Sequence, residues 1–320
     1  LFMRKFTTIP TAAWITLALL TFTVLADGGG PGGNHDDEEM HGYGEHRIEH
    51  SLILPQIAVG EHYTTTLFFS NIGSTERMPW ADEEDFETSS TVFFFKQDGS
   101  PFDVMVNGAG PVSEYSFVLQ SGESIALKLS GDGPDTPGWA IVETADDESV
   151  QTTWGNMGDH EMRGGMRLAA TAFYSLRDGR SQLVSRVGVM PALYEREHFY
   201  TSIMAAQSGP NLDTGVAFVN TNAESVTIQL RLKDLSGKVI TEATLVVAAG
   251  NQTAKFITEL FPGQVPADFQ GVLEVNTYSE EGVVTIGLLL AEGVLTSIPT
   301  HHFGSWNRDG MGPGGGLMGQ

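Results

Sequence analysis

The chain has 320 residues and a formal net charge of −23, from 40 acidic and 17 basic side chains. Such an acidic surface repels DNA, RNA and anionic lipid headgroups, so we exclude nucleic-acid binding. The absence of cysteine excludes a disulfide framework, a thiolate zinc site and a cysteine nucleophile. Hydrophobic residues make up 41% of the chain, which is enough for packed cores in two domains.

Residues 1–26 have the three parts of a secretory signal peptide. Arg4 and Lys5 form the positive n-region, Ala12 to Val24 form the apolar region, and Val24 to Ala26 supply the cleavage site. The apolar run is too short for a typical membrane span, and an uncleaved anchor is the alternative interpretation. We therefore expect a secreted, periplasmic or cell-surface bacterial protein with no membrane span after cleavage.

The next segment, residues 27–48, is a Gly-rich acidic tail with too little apolar surface to fold alone, so we expect disorder. Histidines and carboxylates at this density can bind a transition metal, and the alternative is a solvated linker with incidental histidines. The pattern from His46 to His50 also matches the H-x-x-E-H motif of inverted zinc peptidases, but so short a helix would be marginal here. The candidate metal ligands of this segment are His35, His41, His46 and His50.

The remainder of the chain repeats one order of landmarks twice with low identity. Each copy has a strand that ends in Asn, a turn with Gly, a hairpin, a strand that begins with Gly, and a last strand pair. Five landmarks in the same order predict two tandem units. The matched segments are Leu67 to Asn71 with Val216 to Asn220, Asp98-Gly99 with Ser236-Gly237, Phe117 to Glu123 with Leu245 to Asn251, Gly138 to Thr144 with Gly271 to Thr277, and Thr171 to Gly179 with Thr285 to Gly293.

The composition of these units favours an all-β fold. Phe, Val, Ile and Thr concentrate in the strand windows, and long helical periodicity is absent after residue 26. We predict two immunoglobulin-like β-sandwich domains, residues 49–192 and 193–303, followed by a disordered Gly- and Met-containing tail, residues 304–320.

Two segments of the second copy, Glu259-Leu260-Phe261-Pro262-Gly263 and Phe269 to Val275, carry a resemblance. With the strand that ends in Asn, they resemble a tandem β-sandwich module that occurs as paired units in bacterial secreted and surface proteins. The resemblance covers most of the mature chain. It implies a location and a fold only, because the module has no defined activity. The first copy departs from it, since it lacks the Leu-Phe-Pro segment.

The first copy also carries two acidic insertions, Pro79 to Glu87 and Asp146 to Gly165. Long loops are uncommon and often functional, so these are the candidate recognition loops. Their carboxylates can ligate Ca²⁺, although consecutive carboxylates rarely converge, and solubility is the alternative role. Exposed aromatics can stack on sugar rings, which gives Trp80 and Trp154 a candidate role, whereas Trp139 begins a strand and is expected in the core. The candidate Ca²⁺ ligands are Asp82, Glu83, Glu84, Asp85, Asp146, Asp147 and Glu148.

The sequence contains no G-x-S-x-G elbow, P-loop or dinucleotide fingerprint after a strand, so we do not expect an enzyme. We expect no certain cofactor, with Ca²⁺ or a transition metal as the open possibility. The predicted function is a structural, adhesion or partner-binding role outside the cytoplasm, toward an extracellular protein or glycan. The alternative is a divalent-cation-dependent or carbohydrate-binding module that uses the loops of the first domain.

Overall fold

The structure, a computed structural model, describes residues 51–72, 87–144, 168–193, 200–277 and 283–303. Nearly all regular structure in these ranges is antiparallel β-strand, so the predicted all-β class is confirmed. No helix within the described ranges is long and apolar enough to cross a membrane. The described residues belong to one compact unit, within which two sets of strands follow each other along the chain.

The first set of strands alternates buried apolar and exposed polar residues, the period expected of strands with one face in a core. In β3, for example, Val92 and Phe94 are buried while Ser89 is exposed. The strands of this set are β1 (Leu52–Val59), β2 (Tyr63–Asn71), β3 (Thr88–Lys96), β4 (Val104–Val106), β5 (Ala109–Val112), β6 (Glu114–Leu119), β7 (Ser124–Ser130), β8 (Thr136–Thr144), β9 (Leu168–Arg177), β10 (Leu183–Val189) and β11 (Ala192–Leu193).

These strands form two sheets in the orders β11-β1-β8-β3-β6 and β10-β9-β2-β7-β4-β5. Both sheets contribute buried side chains to one apolar core, so they are related as the two layers of a sandwich. Leu67 on β2 illustrates the packing, since it lies between Leu127 and Ala172 on the neighbouring strands and is fully buried.

The second set repeats this order of pairings. The equivalent layers are β20-β12-β17-β14-β15 and β19-β18-β13-β16, and a hairpin joins β12 to β13 so that they form one continuous sheet. A second apolar core lies between them. The elements are β12 (Tyr200–Gly209), β13 (Leu212–Val219), β14 (Val226–Asp234), β15 (Val239–Val247), β16 (Gln252–Phe256), α1 (Ile257–Leu260), β17 (Phe269–Thr277), β18 (Val284–Ala291), β19 (Val294–Ile298) and β20 (His301–Phe303).

A buried asparagine occupies the same place in each set. The Nδ2 group of Asn71, at the end of β2, donates to Leu119 O at 3.0 Å. The Nδ2 group of Asn220, which follows β13, donates to Val247 O at the same distance. Both asparagine side chains are fully buried, so each amide satisfies carbonyl groups that water cannot reach.

A buried threonine marks a second equivalent point. The Thr65 hydroxyl accepts from Ala58 N and donates to Ala58 O, at 2.9 and 2.8 Å. In the second set, the Thr214 hydroxyl makes the same two bonds to Gln207, at 2.8 and 3.1 Å. Each threonine therefore joins the first two strands of its set, where the chain passes from one layer to the other.

The two sets differ in two described places. The first contains the hairpin β4–β5 between β3 and β6, and β4 extends the sheet beyond β7. The second connects β14 directly to β15, and instead inserts the one-turn helix α1 after β16. Helix α1 ends at Leu260, the first residue of the Leu-Phe-Pro segment, and both Ile257 of the helix and Phe261 of the segment are buried in the second core.

The two sets also pack against each other through apolar side chains. Val219, at the end of β13, is fully buried against Ile53, Phe95 and Trp139 of the first set. Phe95 and Trp139 stack with ring centroids 4.5 Å apart. Trp139 is 3% exposed, so its predicted role in the core is confirmed, with packing between the sets as the detail that the structure adds.

Polar contacts close the same interface. The Nε2 group of buried Gln252 donates to Pro55 O and Gln56 Oε1, both at 2.6 Å, and Gln252 N donates to Gln97 O at 2.8 Å. At another point Leu295 N donates to Ser185 Oγ at 3.0 Å. Because buried hydrogen bonds are directional, these contacts hold the two sets in one relative orientation.

One carboxylate of the second set is held in an unfavourable environment. Burial raises the pKa of Asp213, although Thr258 Oγ1 donates to Asp213 Oδ2 at 2.5 Å and opposes that rise. Because the pKa of Asp213 is higher in the folded than in the unfolded state, the folded protein binds this proton more tightly. Ionisation of Asp213 therefore lowers the free energy of unfolding at pH values above the folded-state pKa. We expect Asp213→Asn to stabilise the protein at pH 7 by a few tenths of a kcal/mol, after discounting for solvent screening.

Urea unfolding at pH 7 and pH 3 measures this effect. The gain from Asp213→Asn should disappear at pH 3, where the carboxyl is protonated in both folded and unfolded states. Asp178→Asn is the control of opposite sign, because the amides of Gln182 and Arg180 donate to Asp178 and lower its pKa. A stabilisation by Asp213→Asn that is equal at both pH values would contradict the assignment.

Candidate functional site

The site residues predicted from the sequence lie outside the described residues, and their roles stay predictions. The predicted signal peptide and both tails lie outside them too. The residues concerned are His35, His41, His46, His50, Trp80, Asp82, Glu83, Glu84, Asp85, Asp146, Asp147, Glu148 and Trp154.

Within the described ranges, no three His, Asp or Glu side chains converge as a metal site. A histidine–carboxylate pair lies at one end of the first set, where the Asp135 carboxylate contacts His62 Nδ1 at 2.9 Å and accepts from His62 N at 2.8 Å. Glu61 N also donates to Gly133 O across the same two loops. These bonds tie the β1–β2 loop to the β7–β8 loop, which is a structural role.

A different surface stands out by its charge. The sheet β10-β9-β2-β7-β4-β5 contains Lys128, Arg177 and Arg186, and no Asp or Glu occurs in its six strands. This composition is unusual in a chain with 40 acidic and 17 basic residues. Because side chains alternate along each strand, the core takes one face of this sheet and leaves the other to solvent. We call that outer face, on β10, β9, β2 and β7, the cationic face.

Two phenylalanines lie at the centre of the cationic face. The rings of Phe68 on β2 and Phe173 on β9 meet edge to face, with centroids 5.5 Å apart at 86°. Phe68 is 40% exposed, although its neighbours Leu67 and Phe69 are buried in the core. An exposed aromatic ring on a flat sheet is a common element of binding surfaces, because it offers a large contact area with little conformational entropy to lose.

Basic groups flank the two rings. The Arg186 guanidinium lies over the Phe173 ring, with Cζ 4.8 Å from the centroid, as in a cation–π contact. Gly188, opposite Phe173 on β10, leaves room for the ring, since a Cβ there would lie 3.2 Å from Phe173 Cε1. On the other side, Thr66 lies between Phe173 and exposed Lys128 in the strand register. The face therefore presents positive charge on both sides of an apolar centre.

The equivalent sheet of the second set does not have this character. Its strands β13 and β16 carry one acidic residue, Asp213, and one basic residue, Lys255. The charged residues of the second set concentrate in the other layer, where Arg231 Nε contacts Glu242 Oε1 at 3.0 Å and Lys233 contacts Glu274. The cationic face is thus particular to the first set.

In this ion-pair cluster of the second set, each carboxylate is paired with a basic side chain of the neighbouring strand β14. Burial opposes ionisation of Glu274, but the hydrogen bonds from Lys233 and Asn276 outweigh it, and the pKa of Glu274 is lowered. A shallow depression beside it is lined by Gln229, Arg231 and Thr244 among others. Paired charges of this kind stabilise neighbouring strands and leave little free charge for a ligand.

The cationic face was not predicted from the sequence, because its residues are far apart along the chain. Phe68, Lys128, Phe173 and Arg186 come from four strands, and only strand pairing brings them together. One sequence signal was present, namely that the windows Tyr63–Asn71 and Leu168–Arg177 contain no acidic residue.

Comparison with known proteins returned no matching protein-family model, no matching curated protein and no matching solved structure.

Proposed function

We propose that this chain is a secreted, non-catalytic protein of two tandem immunoglobulin-like β-sandwiches, which binds an acidic extracellular partner on its cationic face. The observation that carries the proposal is the composition of that face, with Phe68 and Phe173 between Arg186 and Lys128 and no acidic residue in its strands. The export signal and the secreted, periplasmic or cell-surface location in a bacterium are predictions from the sequence, which also lacks the catalytic motifs considered above.

The negative net charge does not oppose such binding at short range. At physiological ionic strength the screening length is about 8 Å, so a ligand in contact with the face interacts mainly with the cations beside it. The distant carboxylates slow the approach of an acidic partner and reduce nonspecific capture. We infer that the face selects partners that combine carboxylates with an apolar or planar surface.

The contact between the two sets supports a binding role for the whole unit. Val219 and Gln252 of the second set are buried against the first set, so the cationic face is carried on a rigid support. A rigid support lowers the entropy lost when a partner binds, because fewer internal motions must be frozen.

Charge reversal tests the proposal. We expect Lys128→Glu and Arg186→Glu each to weaken binding of the purified protein to immobilised poly-L-glutamate about five- to tenfold, since each replaces an attraction by a repulsion. Lys238→Glu is the matched control, because Lys238 is also exposed but lies in the β14–β15 turn of the second set. Equal losses for Lys238→Glu, or no binding by the unaltered protein, would refute the proposal.

A glycan partner is the second candidate, favoured by the exposed Phe68 ring on a flat sheet. Polygalacturonate, an acidic glycan, is the probe, and Phe68→Ser is the variant. If the glycan stacks on the ring, Phe68→Ser should reduce polygalacturonate binding at least as strongly as Lys128→Glu does. A preserved affinity in Phe68→Ser would assign any binding of this polymer to charge alone.

A further inference from the structure

The end strand of the second set has an open hydrogen-bonding edge. In the described ranges β15 pairs with β14 alone and ends its sheet. Asp234 N donates to Lys238 O and Gly237 N donates to Asp234 O, so the backbone groups of Asp234 are directed toward β15. Because these directions alternate along a strand, Leu230 and Ile228 also bond toward β15.

The register then identifies the free groups of β15. Leu230 lies opposite Ala243 and Ile228 opposite Leu245, so those two residues of β15 bond to β14. The N–H and C=O groups of the intervening residues, Glu242, Thr244 and Val246, are therefore directed away from the sheet. Val246 is 60% exposed, and no Lys or Pro occurs in β15 to discourage pairing with another strand.

Side chains on the inner face of β15 are incompletely covered. Ala243 and Leu245 face the second core but stay half-buried. At the equivalent places on β6, Tyr115 is half-buried like Ala243, whereas Phe117, the counterpart of Leu245, is only 7% exposed. The difference follows from the hairpin β4–β5, which adds to the opposite sheet in the first set and has no described counterpart in the second.

We propose that β15 pairs with β15 of a second copy of this chain, antiparallel and about a two-fold axis at Thr244. In this register Glu242 lies opposite Val246 of the second copy, and Leu245 lies opposite Ala243. The half-buried apolar side chains of both copies are then covered by each other. The isologous arrangement closes after two copies, as in most symmetric dimers.

Charge favours this register over its neighbour. With Thr244 on the axis, the two Glu242 residues are four residues apart along the ladder, about 13 Å at 3.3 Å per residue. A register shifted to Ala243 on the axis brings the two carboxylates close together on the same face. With Thr244 on the axis, the Thr244 side chains of the two copies lie opposite each other, which is a favourable cross-strand pair.

The test uses sedimentation equilibrium of the full protein. We expect a dimer that tightens as salt rises, because each copy carries a net charge of −23 and screening reduces their repulsion. Thr244→Lys and Thr244→Glu should each weaken association at least tenfold, since each places like charges across the axis. An equimolar mixture of these two variants should restore association, because opposite charges then meet.

Ser116→Lys is the matched control, because Ser116 occupies the equivalent place on β6 and is also exposed. It should leave the dimer unchanged. Since Thr244 is exposed and its side chain points to solvent, the variants should keep the thermal midpoint that the unaltered protein has at concentrations low enough to make it monomeric. A monomeric unaltered protein, a dimer lost equally in Ser116→Lys, or a failed rescue in the mixture would overturn the proposal.

Discussion

Gly271→Ala is expected to destabilise the protein by about 3 kcal/mol or more, because the added methyl group has no room. A Cβ at this position would lie 2.0 Å from Lys233 O and 2.5 Å from Phe269 Cζ. The carbonyl belongs to the neighbouring strand β14, so it cannot move without breaking the β14–β17 ladder. Urea unfolding followed by far-UV circular dichroism measures the loss.

The same close approach occurs in the first set, where a Cβ at Gly138 would lie 2.3 Å from Phe95 O. We therefore expect Gly138→Ala to be similarly destabilising. Gly179→Ala is the control, since no atom lies within 4 Å of its added methyl group, and its effect should stay within about 0.5 kcal/mol. If Gly271→Ala were as mild as Gly179→Ala, the close approach of β14 to β17 would be incorrect.

Asn220→Ala is expected to cost about 3 kcal/mol, because it leaves several buried backbone groups without partners. The Asn220 Nδ2 group donates to Glu224 O at 2.8 Å and to Val247 O and Ala248 O at 3.0 Å. Its Oδ1 atom accepts from Asn222 N at 3.0 Å. The side chain thus holds the turn after β13 against the end of β15.

Asn220→Asp separates hydrogen bonding from packing in the same experiment. The carboxylate keeps the shape of the amide but faces carbonyl oxygens, so at pH 7 it should destabilise more than alanine does, and part of the loss should return at low pH. Asn211→Ala, at an exposed position before β13, is the control and should have little effect. Equal stability of the Asn220→Ala and Asn211→Ala variants would show that the buried network contributes nothing.

Both predictions concern residues that the repeat in the sequence marks by itself. Asn71 with Asn220, and Gly138 with Gly271, are paired landmarks on sequence pattern alone. The structure places each pair at equivalent points and supplies the reason, since the asparagines bond to the end of β6 or β15 and the glycines admit a carbonyl of the next strand. Because such requirements depend on a few neighbouring atoms, they constrain the residue type at single positions and can be recognised in the sequence.

Other features of the structure could not be recognised from the sequence. The hairpin β4–β5 and helix α1 were not predicted, because both are short and their residues carry no strong local preference. The cationic face and the open edge of β15 were not predicted either. The sites that were predicted, on the two acidic insertions and the N-terminal tail, lie outside the described residues and stay predictions.

By itself the sequence determined the all-β class and the order of the paired landmarks, because alternating side chains and turn residues act over a few positions. The tertiary structure alone decided that Val219 of one set packs on Trp139 of the other, and that Phe68, Lys128, Phe173 and Arg186 share one face. Strand order decides which distant residues become neighbours, and it results from the packing of whole sheets, which no local pattern encodes.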